Sequence, residues 1–252
     1  MATTFYKPLS CFEPSFERFA TVSQDGRLKI FDTRSGGVQQ QLAEKDHLST
    51  QYTAIAWGAT TFQGVGQTER SKRAKKQLGG AVAIGTAKGT IVVWDVLRGE
   101  VHKELGGKEG HTGKVNDLVF TEGATFLFSC SDDLQVIKWN VENGEIVAKF
   151  KADNQPISSL ALSADNSTLA TASAMIKMWD LASSKSQKKF TGHTSAVTSL
   201  NFSANGKFLV SASATERYTS VWDLEAAGNA GAAAGTAFSC SEAEACHSSM
   251  AH

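Results

Sequence analysis

SDDLQVIKWN, residues 131–140, packs a complete structural unit into a short span: polar residues, a turn, alternating apolar residues, then an aromatic side chain followed by an amide. Val136 and Ile137, with Lys138 and Trp139 behind them, show the β-branched and aromatic enrichment of a strand, and Asp132-Asp133 supplies turn chemistry before it. The pattern recurs as SQDGRLKIFD (23–32), TAKGTIVVWD (86–95), SAMIKMWD (173–180) and TERYTSVWD (215–223). The aromatic anchors are Phe31, Trp94, Trp139, Trp179 and Trp222, and their spacings are 63, 45, 40 and 43 residues.

Except for the first, these spacings match the 40–45-residue blade of a β-propeller with a Trp-Asp signature. A second landmark keeps register with the first: Gly110-His111 lies upstream of Trp139, and Gly192-His193 lies upstream of Trp222 at nearly the same offset. Asp46-His47 opens the second unit, and Asp153-Asn154 takes that place in the fourth. Within the third unit, strands are expected around Val115–Phe120, Phe126–Ser129, Val136–Trp139 and Glu145–Phe150. Asp25-Gly26, Lys88-Gly89, Asn143-Gly144 and Asn205-Gly206 supply turns, and three prolines in the whole chain leave the strands uninterrupted. The fold class is therefore all-β, a WD-repeat β-propeller with about five blades: four complete and three strands of a fifth.

The long first spacing returns to the blade norm if about twenty residues are set aside as a loop. That segment, near 61–80, reads TFQGVGQTERSKRAKKQLGG and belongs between the first two strands of the second blade. Arg70, Lys72, Arg73, Lys75 and Lys76 make it basic. On an accessible loop such a cluster reads as a nuclear-import signal; the plainer reading is a solvated surface.

Composition bounds the function. Among 252 residues, 25 Lys plus Arg balance 25 Asp plus Glu, so whole-chain charge points to no nucleic-acid or membrane partner. No 18-residue apolar run suggests a membrane span, and the N-terminus lacks a secretory pattern. Cys11, Cys130, Cys240 and Cys246 form no CxxC pair, so neither a zinc site nor a disulfide framework is expected. No cofactor and no small-molecule substrate are expected.

His111, Ser131, Asp133 and Trp139 resemble the structural tetrad of WD repeats, whose His, Ser or Thr, Asp and Trp side chains hydrogen-bond in series. Alternation places 131, 133 and 139 on one side of the hairpin, and a buried indole N–H needs an acceptor. A Ser-His-Asp set also invites a hydrolase reading. No G-x-S-x-G elbow is present, however, and His193 with Trp222 repeats the arrangement in another blade, so the chain is read as no enzyme. Lys88 stands where the second unit needs an acid, the fourth unit lacks both His and acid, and the first has Phe31 for Trp. Those blades are expected to rely on apolar packing through Ile30, Val92, Ile176 and Met178.

Four longer segments narrow the resemblance: DHLSTQYTAIAW (46–57), SCSDDLQVIKWN (129–140), KADNQPISSLALS (151–163) and FTGHTSAVTSLNF (190–202). Together with the basic loop, they are similar to the fifth U-three-associated protein family, part of the UtpA group of the small-subunit processome. The resemblance covers roughly residues 5–225. It implies a nucleolar scaffold with seven blades, partnered by other processome proteins and associated with pre-rRNA and snoRNP. Such a scaffold supports small-subunit pre-rRNA processing and RNA polymerase I transcription. The alternative is a generic WD-repeat adaptor, such as a ubiquitin-ligase substrate receptor or signalling platform. The sequence departs from the family after Leu224, where 226–252 turns rich in Ala, Gly and Ser. The expectation is an incomplete propeller over 1–225 followed by a disordered tail.

Overall fold

A computed structural model describes residues 9–23, 25–44, 48–59, 80–183, 185–213, 215–216, 218–225 and 236–239. The chain divides into two compact units, Met1–Lys151 and Ala152–His252. Every sheet is a four-stranded antiparallel meander.

In the first unit the first sheet contains β1 (Ser10–Phe12), β2 (Arg18–Val22), β3 (Leu28–Asp32) and β4 (Val38–Leu42). The second contains β5 (Tyr52–Ala59), β6 (Gly80–Thr86), β7 (Ile91–Asp95) and β8 (Glu100–Leu105). The third contains β9 (Val115–Phe120), β10 (Phe126–Ser131), β11 (Gln135–Asn140) and β12 (Ile146–Lys151). In the second unit the fourth sheet contains β13 (Ser159–Leu162), β14 (Thr168–Ala172), β15 (Ile176–Asp180) and β16 (Lys185–Phe190). The fifth contains β17 (Val197–Phe202), β18 (Phe208–Ser213), β19 (Tyr218–Asp223) and β20 (Thr236–Ser239).

The fold class is that of WD-repeat propeller blades. One strand differs from expectation. The fifth sheet has a fourth strand, β20, which pairs antiparallel with β19 through Tyr218↔Ser239 to Val221↔Thr236. The low hydrophobicity of 226–252 argued against a strand there. A sheet ladder is made by backbone N–H and C=O groups, and four residues containing Thr and Phe suffice to extend it.

One register governs all five sheets. The aromatic anchor on the third strand pairs with an apolar residue of the second: Phe31 with Phe19, Trp94 with Val82, Trp139 with Leu127, Trp179 with Leu169, and Trp222 with Leu209. In four sheets a bulge adjoins the anchor where the fourth strand pairs, at Phe31, Trp94, Trp139 and Trp179. The residue after the anchor then caps the turn into the outer strand. Asp32 accepts from the Ser35 N–H at 2.7 Å, Asp95 from Leu97 at 3.0 Å, Asn140 from Glu142 at 3.0 Å and Asp180 from Ser183 at 2.7 Å. The acid or amide of the Trp-Asp dipeptide thus ends the third strand by the Asx mechanism.

Adjacent sheets pack through alternate faces of their strands. In the first unit Ala20, Leu28 and Ile30 of the first sheet meet Trp57, Val82, Ile84 and Trp94 of the second. Ala56, Ala83, Ile91 and Val93 of the second meet Phe120, Leu127, Ile137 and Trp139 of the third. In the second unit Ala161, Ala170 and Met178 of the fourth meet Leu200, Leu209 and Trp222 of the fifth. Small residues on one sheet make room for large ones on the next. Gly85 has the same role, since a Cβ there would lie 2.6 Å from Val115 Cγ1.

The basic segment falls between β5 and β6, as its spacing requires. Arg70, Lys72, Arg73, Lys75 and Lys76, together with Asp46, His47, Cys240 and Cys246, lie outside the described residues. Among the described residues, no helix is long and apolar enough to cross a membrane.

Candidate functional site

The most distinctive polar groups of the chain lie within its sheets. In the third, β10 and β11 are held in register by a series of side-chain bonds. Trp139 Nε1 donates to Ser129 Oγ at 2.8 Å. That hydroxyl lies 2.8 Å from His111 Nε2, and His111 Nδ1 lies 2.9 Å from Asp133 Oδ2. Asp133 also accepts from the Thr112 N–H at 3.1 Å and the Gln135 N–H at 3.1 Å. A neutral imidazole protonated at Nδ1 satisfies the series: indole to hydroxyl, hydroxyl to Nε2, Nδ1–H to carboxylate. Burial favours that form, holding the His111 pKa below its ordinary value against the opposing pull of Asp133.

The structure corrects one member of the expected tetrad. His111, Asp133 and Trp139 come together, but the hydroxyl is that of Ser129, not Ser131. Both serines share a strand face, so parity cannot separate them. Register does: Leu127 is opposite Trp139 and Ser129 opposite Ile137, which sets Ser129 diagonally against the indole. Ser131 sits at the turn, where its Oγ accepts the Asp133 N–H at 3.1 Å. Thr86 plays that turn role in the second sheet, accepting the Thr90 N–H at 3.2 Å.

The fifth sheet repeats the series with a different acid. Trp222 Nε1 donates to Ser211 Oγ at 2.8 Å, and Ser211 lies 2.6 Å from His193 Nε2. His193 Nδ1 pairs with Glu216, which also accepts the Thr194 N–H at 2.5 Å and the Thr194 hydroxyl at 2.7 Å. Burial opposes ionisation of Glu216, but the bonds from His193 and Thr194 prevail and lower its pKa to about 2. Sequence reading found His193 and Trp222 but missed Ser211 and Glu216. The available signal was offset: Glu216 precedes Trp222 by the same six positions that separate Asp133 from Trp139.

The fourth sheet keeps part of the series. Trp179 Nε1 donates to Thr171 Oγ1 at 3.0 Å. Asp153, standing where the third and fifth sheets have histidine, accepts the Ser173 hydroxyl at 2.5 Å and pairs with Lys177 Nζ at 3.0 Å. This sheet therefore adds polar ties to the apolar packing of Ile176 and Met178, both buried. In the second sheet Ile84 occupies the position of Ser129, ten residues before the anchor, and Trp94 packs among Trp57, Val82 and Val92. In the first, Phe31 lies 6.4 Å from Phe19 ring to ring.

Three segments, 102–140, 144–180 and 184–223, match the WD domain, G-beta repeat. Each begins within or just before an outer strand and ends on the third strand of the following sheet, so the sequence repeat is offset by one strand from the sheet. Residues 102–223 carry three WD repeats. The chain is 34% identical over 168 residues to WD repeat-containing protein 43 of Homo sapiens, covering 65% of this chain and 25% of that protein. It is 35% identical over 91 residues to Protein FIZZY-RELATED 1 of Arabidopsis thaliana, covering 36% of this chain and 18% of that one. A chain in the crystal structure of the Mitotic Checkpoint Complex superposes with a TM-score of 0.70 at 18% identity, covering 87% of this chain and 60% of its own. That likeness concerns the fold. The chain thus spans a quarter or less of these two relatives' lengths.

Chemically, the WD-repeat series clamp the hairpins. Ser129 is fully buried and already accepts the Trp139 N–H, while His111 is 5% exposed. A nucleophilic serine needs a reachable Oγ beside an oxyanion hole. Among the described residues, no group of three or more His, Cys, Asp or Glu side chains is set to hold a metal ion. Burial pushes the Cys11 thiol up to about 12, keeping it protonated.

Proposed function

We propose that this chain is a non-catalytic protein-interaction scaffold of the nucleolus, acting in small-subunit pre-rRNA processing and RNA polymerase I transcription with other UtpA proteins. The observation that carries the scaffold reading is the enclosure of both complete His-Ser-Trp series inside their sheets, with Ser129 and Ser211 buried. Polar chemistry spent on rigidity leaves the turns and sheet edges as the surface for partners. The nucleolar reading is supported by the four longer segments, the basic loop and the 34% identity to human WD repeat-containing protein 43. Contact with pre-rRNA and snoRNP is assigned to the assembly rather than to a base-reading site on this chain.

A tagged copy of the chain should concentrate in nucleoli and co-purify with processome proteins and pre-rRNA; a diffuse cytosolic signal without nucleolar enrichment would sink the reading. Replacing Arg70, Lys72, Arg73, Lys75 and Lys76 by alanine should reduce nuclear accumulation, and unchanged localisation would refute the import role. A hydrolase activity abolished by Ser129→Ala in folded protein would overturn the non-catalytic assignment. The second reading, a generic WD-repeat adaptor, rests on the three WD repeats themselves, and the same localisation experiment separates the two.

A further inference from the structure

Two asparagines of the chain precede glycine, Asn143 and Asn205. Both are exposed, and both sit in tight turns whose glycine has a left-handed backbone, Gly144 at φ 81° and Gly206 at φ 69°. Asparagine is thermolabile, and most so before glycine. The glycine nitrogen, once deprotonated, attacks the asparagine Cγ because no Cβ shields it. A bond forms between that nitrogen and Cγ, negative charge collects on Oδ1, and the Cγ–Nδ2 bond breaks with loss of ammonia. Water then opens the five-membered imide, leaving aspartate or, with the main chain lengthened by one carbon, isoaspartate. Whatever stabilises charge on Oδ1 speeds the first step.

In both turns the glycine N–H is engaged, Gly144 with the Asn140 carbonyl and Gly206 with the Ser203 carbonyl at 2.9 Å each, so either turn must loosen before it reacts. The surroundings separate them. Asn205 Oδ1 accepts the Ser203 hydroxyl at 2.7 Å and the Lys207 N–H at 3.1 Å, two donors where the charge develops. Among the described residues, no neighbouring atom lies within 4 Å of a Cβ built on Gly206, so this turn has room to open. Asn143 Oδ1 has one donor, the Glu145 N–H at 2.9 Å, and its Nδ2, the group that must leave, donates to the Glu145 carboxylate at 2.7 Å. That carboxylate, with Glu142 on the other side in sequence, sets negative charge beside the anion that must form. Gly144 is also hemmed in, since a Cβ there would meet Lys103 Cδ at 3.3 Å.

We infer that Asn205 is a site of spontaneous deamidation and that Asn143 is protected from it. The fourth sheet shows what the product would meet. Its turn between first and second strands, 163–167, has the same length as 203–207 in the fifth and carries Asp165 at the position of Asn205. Asp165 Oδ1 accepts the Ser163 hydroxyl at 2.5 Å and the Ser167 N–H at 3.1 Å, the same two kinds of donor, and Asn166 takes the left-handed position at φ 57°. The Ser163 hydroxyl foremost, then Ser167, lowers the Asp165 pKa to about 2. This kind of turn therefore accepts an ionised aspartate, and deamidation to aspartate gives the fifth sheet an anionic turn of the same shape. Isoaspartate, with its extra main-chain carbon, disturbs the pairing of β17 with β18.

Ageing of the full 252-residue chain at neutral pH and body temperature, followed by peptide mapping in a mass spectrometer, tests this. Peptides holding Asn205 should gain one mass unit about tenfold faster than those holding Asn143. In concentrated urea, where only the shared Asn-Gly chemistry remains, the two should react at similar rates. Ser203→Ala should slow the reaction at Asn205, Ser203→Thr should not, because it keeps the hydroxyl, and Glu145→Gln should speed the reaction at Asn143. Circular dichroism establishes that each variant is folded; if Ser203→Ala unfolds, Glu145→Gln on its exposed turn carries the comparison. Asn143 reacting as fast as Asn205 in the folded chain overturns the inference. So does a preference for Asn205 that survives in urea, a native Asn205 that stays intact while the urea-treated chain converts, or rates unchanged in the folded variants.

Discussion

At the residue scale, two serines two positions apart on one strand do unlike work. Ser129 accepts the Trp139 indole and faces His111, while Ser131 accepts a turn N–H. Ser129→Ala strands a buried donor, which costs about 1–3 kcal/mol, whereas Ser131→Ala loses an ordinary hydrogen bond worth about 0.5–1.5 kcal/mol. Urea denaturation should show the larger fall in midpoint for Ser129→Ala, and equal falls would contradict the assignment. The same series predicts a pH dependence. With its folded pKa below the ordinary 6.5, His111 binds fewer protons in the folded than in the unfolded chain. Its contribution is whole above 6.5 and is lost as pH falls below that value toward the folded pKa. Stability measured by urea between pH 7.5 and 5.5 should therefore decline with acid, and less steeply in His111→Gln. Glu216 acts in a lower window: its stabilisation is complete above the ordinary 4.5 and is lost as pH falls toward about 2.

At the scale of the element, the hairpin between second and third strands shows what backbone conformation demands. Its turn holds a left-handed residue: Gly26 at φ 75°, Gly89 at φ 87° and, in the third sheet, Leu134 at φ 72°. A Leu in that region costs roughly 1–2 kcal/mol, so Leu134→Gly should raise the thermal midpoint despite the added chain entropy of glycine. Gly89 has a second constraint, since a Cβ there would lie 2.3 Å from the His111 carbonyl oxygen. Gly89→Ala combines φ strain with a clash against backbone and should cost about 2 kcal/mol or more. Differential scanning calorimetry separates the two outcomes by sign; a stabilised Gly89→Ala would show that the turn moves freely. The element's other lesson is its outer turn, where Asp32, Asp95, Asn140 and Asp180 cap backbone N–H groups irrespective of how complete the rest of their sheet is.

Across the whole molecule the repeats share one register but differ in polar content, so equivalent substitutions should differ in cost. Trp139→Leu and Trp222→Leu each orphan a buried serine–histidine series, Trp179→Leu orphans one threonine, and Trp94→Leu removes a ring seated beside Ile84 without a serine–histidine series. Phe31→Leu alters a half-buried ring. Large-to-small core changes of this kind cost about 2–5 kcal/mol where packing alone is lost, and the orphaned groups add to it. Thermal midpoints should therefore fall most for Trp139 and Trp222, less for Trp179 and Trp94, and least for Phe31. A flat series would mean that the hydrogen-bonded series contribute nothing beyond packing.

Much of this order was legible before any coordinates. The recurrence of Trp-Asp at 40–45 residues, the His landmark and the turn glycines were enough for the all-β class, the number of sheets and the position of the basic segment between β5 and β6, because periodicity and turn chemistry are local properties. Three of the four tetrad members were legible for the same reason. The choice of Ser129 over Ser131 was not, because two residues of equal parity are separated only by strand register, a relation between distant segments. Glu216 went unread because it preserves the charge and offset of an aspartate without its identity. The strand β20 was hidden by composition, since its pairing is made by backbone groups that side chains do not announce.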